Sequence, residues 1–281
     1  MKTNIAFASL IAALAPLASA CADATPIDVV PAEAMALSAL SAPSSAEGAK
    51  APETHAKKGP GHNLLFPRQA HPFGASYEDW AAAWWQWALS IPVDENPMLD
   101  GPCELHQSGN VFFLAGTMGG TATRNCTIPV GKGIFFPIVN VVYRSCPEYV
   151  NGSYTCELAT SDDKLHEWAS SYIESGEGTM LLEIDGVSVA NLDPYRAHSE
   201  VFADASPLNV EDRVAPACSG PIEANSCGVP VGSPRSSVAD GYWAMLHPLP
   251  PGQHEIRFAA SIDNNVGSFS LDVTYHIVVA P

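Results

Sequence analysis

Glu183 and Asp185 are the first residues here whose type and spacing suit chemistry, since paired carboxyls can divide acid and base work at one bond. The plainer reading sits beside it. Asp185 is followed by Gly186, and Asp-Gly is the turn of a tight hairpin, which makes Asp185 a turn residue beside a surface Glu183. A second candidate is His247 and His254, which flank the segment PLPPGQ. Across a hairpin they would face each other, and neutral imidazoles so held bind copper or zinc when a third ligand joins, such as His198, His276 or Asp240. No H-x-H accompanies them, so two hydrogen-bonded histidines at strand ends is the competing reading. The third candidate is the run YEDWAAAWWQWAL, Tyr77–Leu89, with four of the six tryptophans. Exposed indole faces stack on sugar rings and other flat apolar surfaces.

The segment Glu183-Ile184-Asp185 resembles the E-x-D-x-x-E strand of jelly-roll glycoside hydrolases. The resemblance implies Glu183 as nucleophile and Asp185 as its assistant. The position of the last glutamate, the acid, is Ser188, so this segment supplies no second carboxyl about 5 Å away for a retaining mechanism. There is no G-x-S-x-G, Walker loop, H-E-x-x-H or G-x-G-x-x-G, which argues against a common serine hydrolase, nucleotide enzyme or zincin.

The tryptophan run must be a helix to position its side chains. Ser76 caps it, Glu78 and Asp79 sit in the first turn, alanines fill the middle and Pro92 ends it. At about 100° per residue Tyr77, Trp80, Trp84 and Trp87 share one face, a stripe that a sheet would bury. Trp85 lies off that stripe with Glu78 on its side and Gln86 next to it, so Trp85, Glu78 and Gln86 form the candidate ligand platform. Trp243, after the Asp240-Gly241 turn, adds another aromatic.

The chain has 281 residues, but the folded part is shorter. Residues 1–20 read as a targeting segment, with Lys2, an apolar run from Ile5 to Leu17 that is too short to span a membrane, and Ala18-Ser19-Ala20. Cys21 follows directly and fits lipidation, although Leu17 stands one place further from it than the usual lipobox wants. Of seven cysteines, setting Cys21 aside leaves an even six, the pattern of an exported disulfide protein. Cys146 and Cys156 lie symmetrically about Asn151-Gly152, Cys218 and Cys227 close a short loop, and Cys103 and Cys126 remain. No C-x-x-C supports a thiolate metal site. Residues 21–63, rich in Ala, Pro, Ser and Thr, read as a disordered tether. From Leu64 on, nine basic residues face twenty-five acidic ones, a balance of −16 that argues against nucleic acid and anionic membrane surfaces. A membrane link would run only through the lipid anchor.

The remainder, 64–281, reads as one mainly β domain. Val111–Ala115 and Ile134–Tyr143 are buried strands, the second interrupted by Pro137, which implies a bulge or an edge. A second helix spans about Asp162–Ser175 with Leu165, Trp168 and Tyr172 buried. Hairpins are expected at Asp185-Gly186 and around Pro248–Gly252, residues 193–240 read as irregular, and Phe269–Val279 alternates cleanly. The expected fold is an antiparallel β-sandwich or jelly roll with two helices, one Trp-rich, and long disulfide-stapled loops. The W-W-Q-W run, the QSG and FFLAGT block, FFPIVN and DGYWAMLHPLPPGQHEIRF together resemble a group of exported bacterial proteins. That resemblance implies secretion and a single module from Tyr77 to the end, and no reaction. The expectation is an exported, surface-tethered module that binds, and in one version cleaves, a polysaccharide. The alternatives are a partner-binding envelope lipoprotein and a histidine-based oxidative metal enzyme.

Overall fold

A computed structural model describes residues 64–145, 161–204, 235–264 and 267–281. Cys21, Cys146, Cys156, Cys218 and Cys227 lie outside these residues, so the expected lipidation and two of the three expected disulfides do too. The third disulfide, Cys103–Cys126, is formed, with its Cα atoms 6.0 Å apart.

Among the described residues, two five-stranded sheets make up the body. One has the order β1 (Val111–Phe113), β3 (Gly133–Arg144), β8 (Arg235–Leu246), β6 (Arg196–His198), with β7 (Phe202–Asp204) also on β8. The other runs β2 (Gly120–Pro129), β10 (Gly267–Ala280), β9 (Gly252–Asn264), β4 (Glu177–Ile184), β5 (Val187–Ser188). The inner faces meet at Phe136 and Phe258, whose rings are 4.9 Å apart, within one core that holds Ile138, Val273 and Tyr275. Most pairings are antiparallel, as expected, but β1–β3 and β2–β10 are parallel. The expected hairpin around Pro248–Gly252 is absent: β8 and β9 belong to different sheets, and the proline-rich link carries the chain between layers. Within the span read as irregular, β6, β7 and the start of β8 are regular strand.

The last strand keeps its predicted alternation, with Leu271, Val273, Tyr275, Ile277 and Val279 inward. At Asp185-Gly186 both residues have positive φ, 52° and 73°, the backbone of a type I′ turn. β3 is buried through 133–139 because both its faces are covered. Phe136 points into the sandwich, while Phe135 packs under helix α1 (Tyr77–Ser90) on the outer side. Ser76 caps α1 reciprocally: its hydroxyl accepts from the Asp79 amide while its own amide donates to the Asp79 carboxylate. Helix α2 (Asp162–Glu174) buries Leu165, Ala169 and Ile173. Its buried face is therefore turned from the predicted one, leaving Trp168 and Tyr172 half-buried.

Pro137 does break the ladder. The register of β3 on β8 shifts between Pro137 and Val139. Opposite this bulge stands Gly241, where a Cβ would lie 2.4 Å from the Val139 carbonyl oxygen and 2.6 Å from Asn140 Cα. These are main-chain atoms in a ladder and cannot swing aside. Gly241→Ala is expected to cost about 2–3 kcal/mol, at the upper end of overpacking penalties, read as a lowered urea midpoint with an unchanged m-value.

Candidate functional site

The bulge also shapes a cavity. β1 covers the outer edge of β3 only as far as Phe135, so from Pro137 on that edge has no strand partner among the described residues. Along it lies a pocket of about 210 Å³, walled by Trp84 and Trp85 of α1, Pro137, Ile138 and Asn140 to Val142 of β3, the loop Gly116–Met118, and Phe269 and Leu271 of β10. The walls are mostly apolar, yet two buried nitrogens have no hydrogen-bond partner, Trp85 Nε1 and Asn140 Nδ2. The contrast with the neighbouring indoles is sharp. Trp80 donates to Pro72 O, Trp84 to Leu114 O, Trp87 to Leu105 O and Trp243 to Ala197 O. Leaving a buried donor unmade costs about 1–3 kcal/mol, so folded proteins seldom retain one without a reason. Behind the Gly116 wall Arg124 is buried. Its Nη1 donates to the Ala115 and Gly116 carbonyls at 3.0 and 2.8 Å, while Nε and Nη2 find no hydrogen-bond acceptor.

Trp85 is thus in a pocket and not on a platform. It is 3% exposed, its ring edge-on to Trp84 with centroids 5.0 Å apart. The other expected ligand-binding residues are elsewhere. Glu78 pairs with Arg68 beside the helix start. Burial acts to raise its carboxyl, but the Arg68 guanidinium outweighs this and holds it below the usual range. Gln86 is exposed and donates to the Ala203 carbonyl. Trp243 is fully buried and stacked on Phe135 at 5.3 Å.

The expected catalytic carboxylates are both engaged in holding strands. Asp185 sits 2.8 Å from His254 Nδ1 and accepts the Glu255 amide at 2.8 Å, tying the β4–β5 turn to β9. Glu183 accepts from Ser188 and from Arg257, which also grips Asp272. An open cleft of about 560 Å³ does run past Asp185, His254, Glu255 and His276, across strands β9, β10 and β2 of the second sheet. The expected copper or zinc pair is not assembled. His247 lies against Phe66 with ring centroids 3.7 Å apart, while both nitrogens of His254 are occupied, by Asp185 and the Pro250 carbonyl. The physical reason is the change of sheet between β8 and β9. Cys103, Glu104 and Cys126 bring three donor atoms together, but both sulfurs are in the disulfide.

A polar cluster joins α2 to the first sheet. Asp240, fully buried on β8, accepts a fork from Arg196 on β6, Nε to Oδ1 at 3.0 Å and Nη2 to Oδ2 at 2.6 Å. His198 Nδ1 lies 3.0 Å from the same Oδ2, and His198 Nε2 lies 2.6 Å from His166 Nδ1 on α2. Burial pushes the Asp240 carboxyl up, but bonds from His198 and Arg196 prevail and hold it below the carboxylate range. The sequence singles out His198 and Asp240 only as possible third ligands to His247 and His254, and gives no sign of Asn140, Arg196 or His166. The one available signal was Pro137, which marks where β3 distorts.

No family model matches the chain, and no curated protein matches it. Among solved structures, a chain of "Structure of PbICP-C in complex with falcipain-2" aligns at 10% identity over 61% of this chain and 100% of that one, with a TM-score of 0.20. A score that low carries no argument about fold or partner.

Proposed function

We propose that the protein is an exported binding module that holds one small, mainly apolar molecule carrying an acceptor oxygen, in the pocket between α1 and the unpaired edge of β3. The observation that carries this is Trp85 Nε1, a buried indole N–H with no acceptor, on the wall of a mainly apolar pocket that Asn140, whose Nδ2 is also unpartnered, lines too. A carbonyl, carboxylate or ether oxygen supplies the acceptor that such a donor lacks, and the aromatic walls take the apolar part. Export and tethering through Cys21 belong to the same proposal, and they would present the pocket outside the cell. The platform on which the polysaccharide reading rested, Trp85, is 3% exposed, and the ligand proposed here is instead a single small molecule.

A fragment screen by ligand-observed NMR on the full chain tests it. Hits are expected to pair a small apolar body with an acceptor oxygen. Trp85→Phe and Asn140→Leu should each weaken them about 3–10-fold, the worth of one hydrogen bond. Neither variant removes a hydrogen bond of the two nitrogens; Trp85→Phe should lower the unfolding midpoint through lost packing, so binding is compared at temperatures where each variant is folded. Hits that bind both variants as tightly as the parent, or a screen without hits, would sink the reading.

A further inference from the structure

The polar cluster under α2 has a feature that ion pairing alone does not require. Two imidazole nitrogens from different elements, His166 Nδ1 and His198 Nε2, converge to 2.6 Å. That is closer than an ordinary N–H···O contact of about 2.7–3.2 Å. The rings are nearly parallel, 20° apart, with centroids at 4.9 Å, so the nitrogens meet edge to edge. Behind His198 stands Asp240, whose Oδ2 is 3.0 Å from His198 Nδ1. The Arg196 fork keeps that carboxylate an acceptor, so a neutral His198 shares its Nδ1 proton with Asp240, Ser170 Oγ also lying 3.2 Å from Nδ1, and turns its Nε2 lone pair toward His166.

A carboxylate that fixes the tautomer of a histidine and aims its other nitrogen at a second histidine is the usual support behind a metal ligand. We propose that His166 Nδ1 and His198 Nε2 bind a late transition-metal ion, zinc or copper by their donor type, with Asp240 positioning His198. A metal at about 2.0–2.1 Å from each nitrogen needs them roughly 3.3 Å apart in a tetrahedral arrangement. Both imidazoles are half-buried, so His166 can open the pair by that small amount and water can fill the remaining positions. The Arg196 charge is matched by Asp240 and by Glu174, whose Oε1 lies 3.0 Å from Nη1, so no uncompensated cation repels the ion. Nitrogen donors of this kind suit zinc, copper and nickel over magnesium or calcium. This site is separate from the pocket under α1 and stands or falls without it.

Zn²⁺ titration of the full chain by calorimetry, after chelator treatment, tests the assignment. One equivalent should bind. His166→Gln and His198→Gln should each abolish that heat, with the far-UV circular dichroism unchanged because both residues are partly exposed. Asp240→Asn should weaken binding about 10–100-fold, the usual effect of removing the group behind a ligating histidine. His247→Gln and His276→Gln should leave it intact. Absence of one-to-one heat, heat that survives both His166→Gln and His198→Gln, or equal loss in His276→Gln would each overturn the proposal.

Discussion

Replacing Trp84 with alanine is expected to lower the unfolding free energy by about 3–5 kcal/mol, the range for removing a buried large aromatic. Trp84 is 1% exposed and meets three other indoles, with centroids at 5.0 Å to Trp85, 5.8 Å to Trp87 and 5.7 Å to Trp243. Aromatic pairs in edge-on geometry add about 0.5–1.5 kcal/mol each beyond area burial. Its Nε1 also satisfies the Leu114 carbonyl just where β1 ends, so alanine would orphan that acceptor at the pocket rim. The cost should stay near the top of the range, because the vacated volume joins an existing pocket and the backbone of α1, pinned at Ser76, cannot collapse into it. Trp80→Ala, at a half-buried position, should cost clearly less. Urea unfolding followed by circular dichroism at 222 nm separates the two. Equal midpoints for the Trp84 and Trp80 variants would refute the view that Trp84 is the hub.

How far this could be foreseen depends on the range of the interaction. The ends of α1, the turn at Asp185-Gly186, the bulge at Pro137 and the alternation of β10 are set by neighbours within a few residues, and each could be read from the chain. Trp85 could not. The helical angle correctly places it off the Trp84 stripe. The angle does not tell that β3 loses its neighbour strand after Phe135 and leaves a sheltered pocket there, into whose wall Trp85 folds. The missing hairpin after β8 has a similar cause. A proline-rich link signals a change of direction, but which sheet the next strand joins is decided by distant pairings, β9 with β10 and β4. Asp240, His198 and His166 lie 42 and 32 residues apart along the chain, and no local pattern marks them as neighbours.

Asp240 gives the second large effect. Asp240→Ala is expected to cost about 3 kcal/mol, the low end of the penalty for breaking a buried ion pair from one side, since Arg196 is 29% exposed and keeps Glu174. The loss has three parts: an unmatched Arg196 fork, a His198 without its acceptor, and the Gly241 amide, which donates to Asp240 Oδ1 at 2.7 Å. Asp240→Asn keeps the shape and removes the charge, and so isolates the electrostatic part. The sign of its pH dependence follows from the carboxyl being held below its usual range in the fold. A depressed folded-state pKa means that ionised Asp240 stabilises fully above the unfolded value of about 3.9, and that this is lost as pH falls through the folded value. The stability gap between parent and Asp240→Asn, measured with a chelator present, should therefore narrow as pH falls below about 4. A gap that stayed constant down to pH 2.5 would show that the neutral hydrogen bonds, and not the charge on Asp240, hold β6 and α2 against β8.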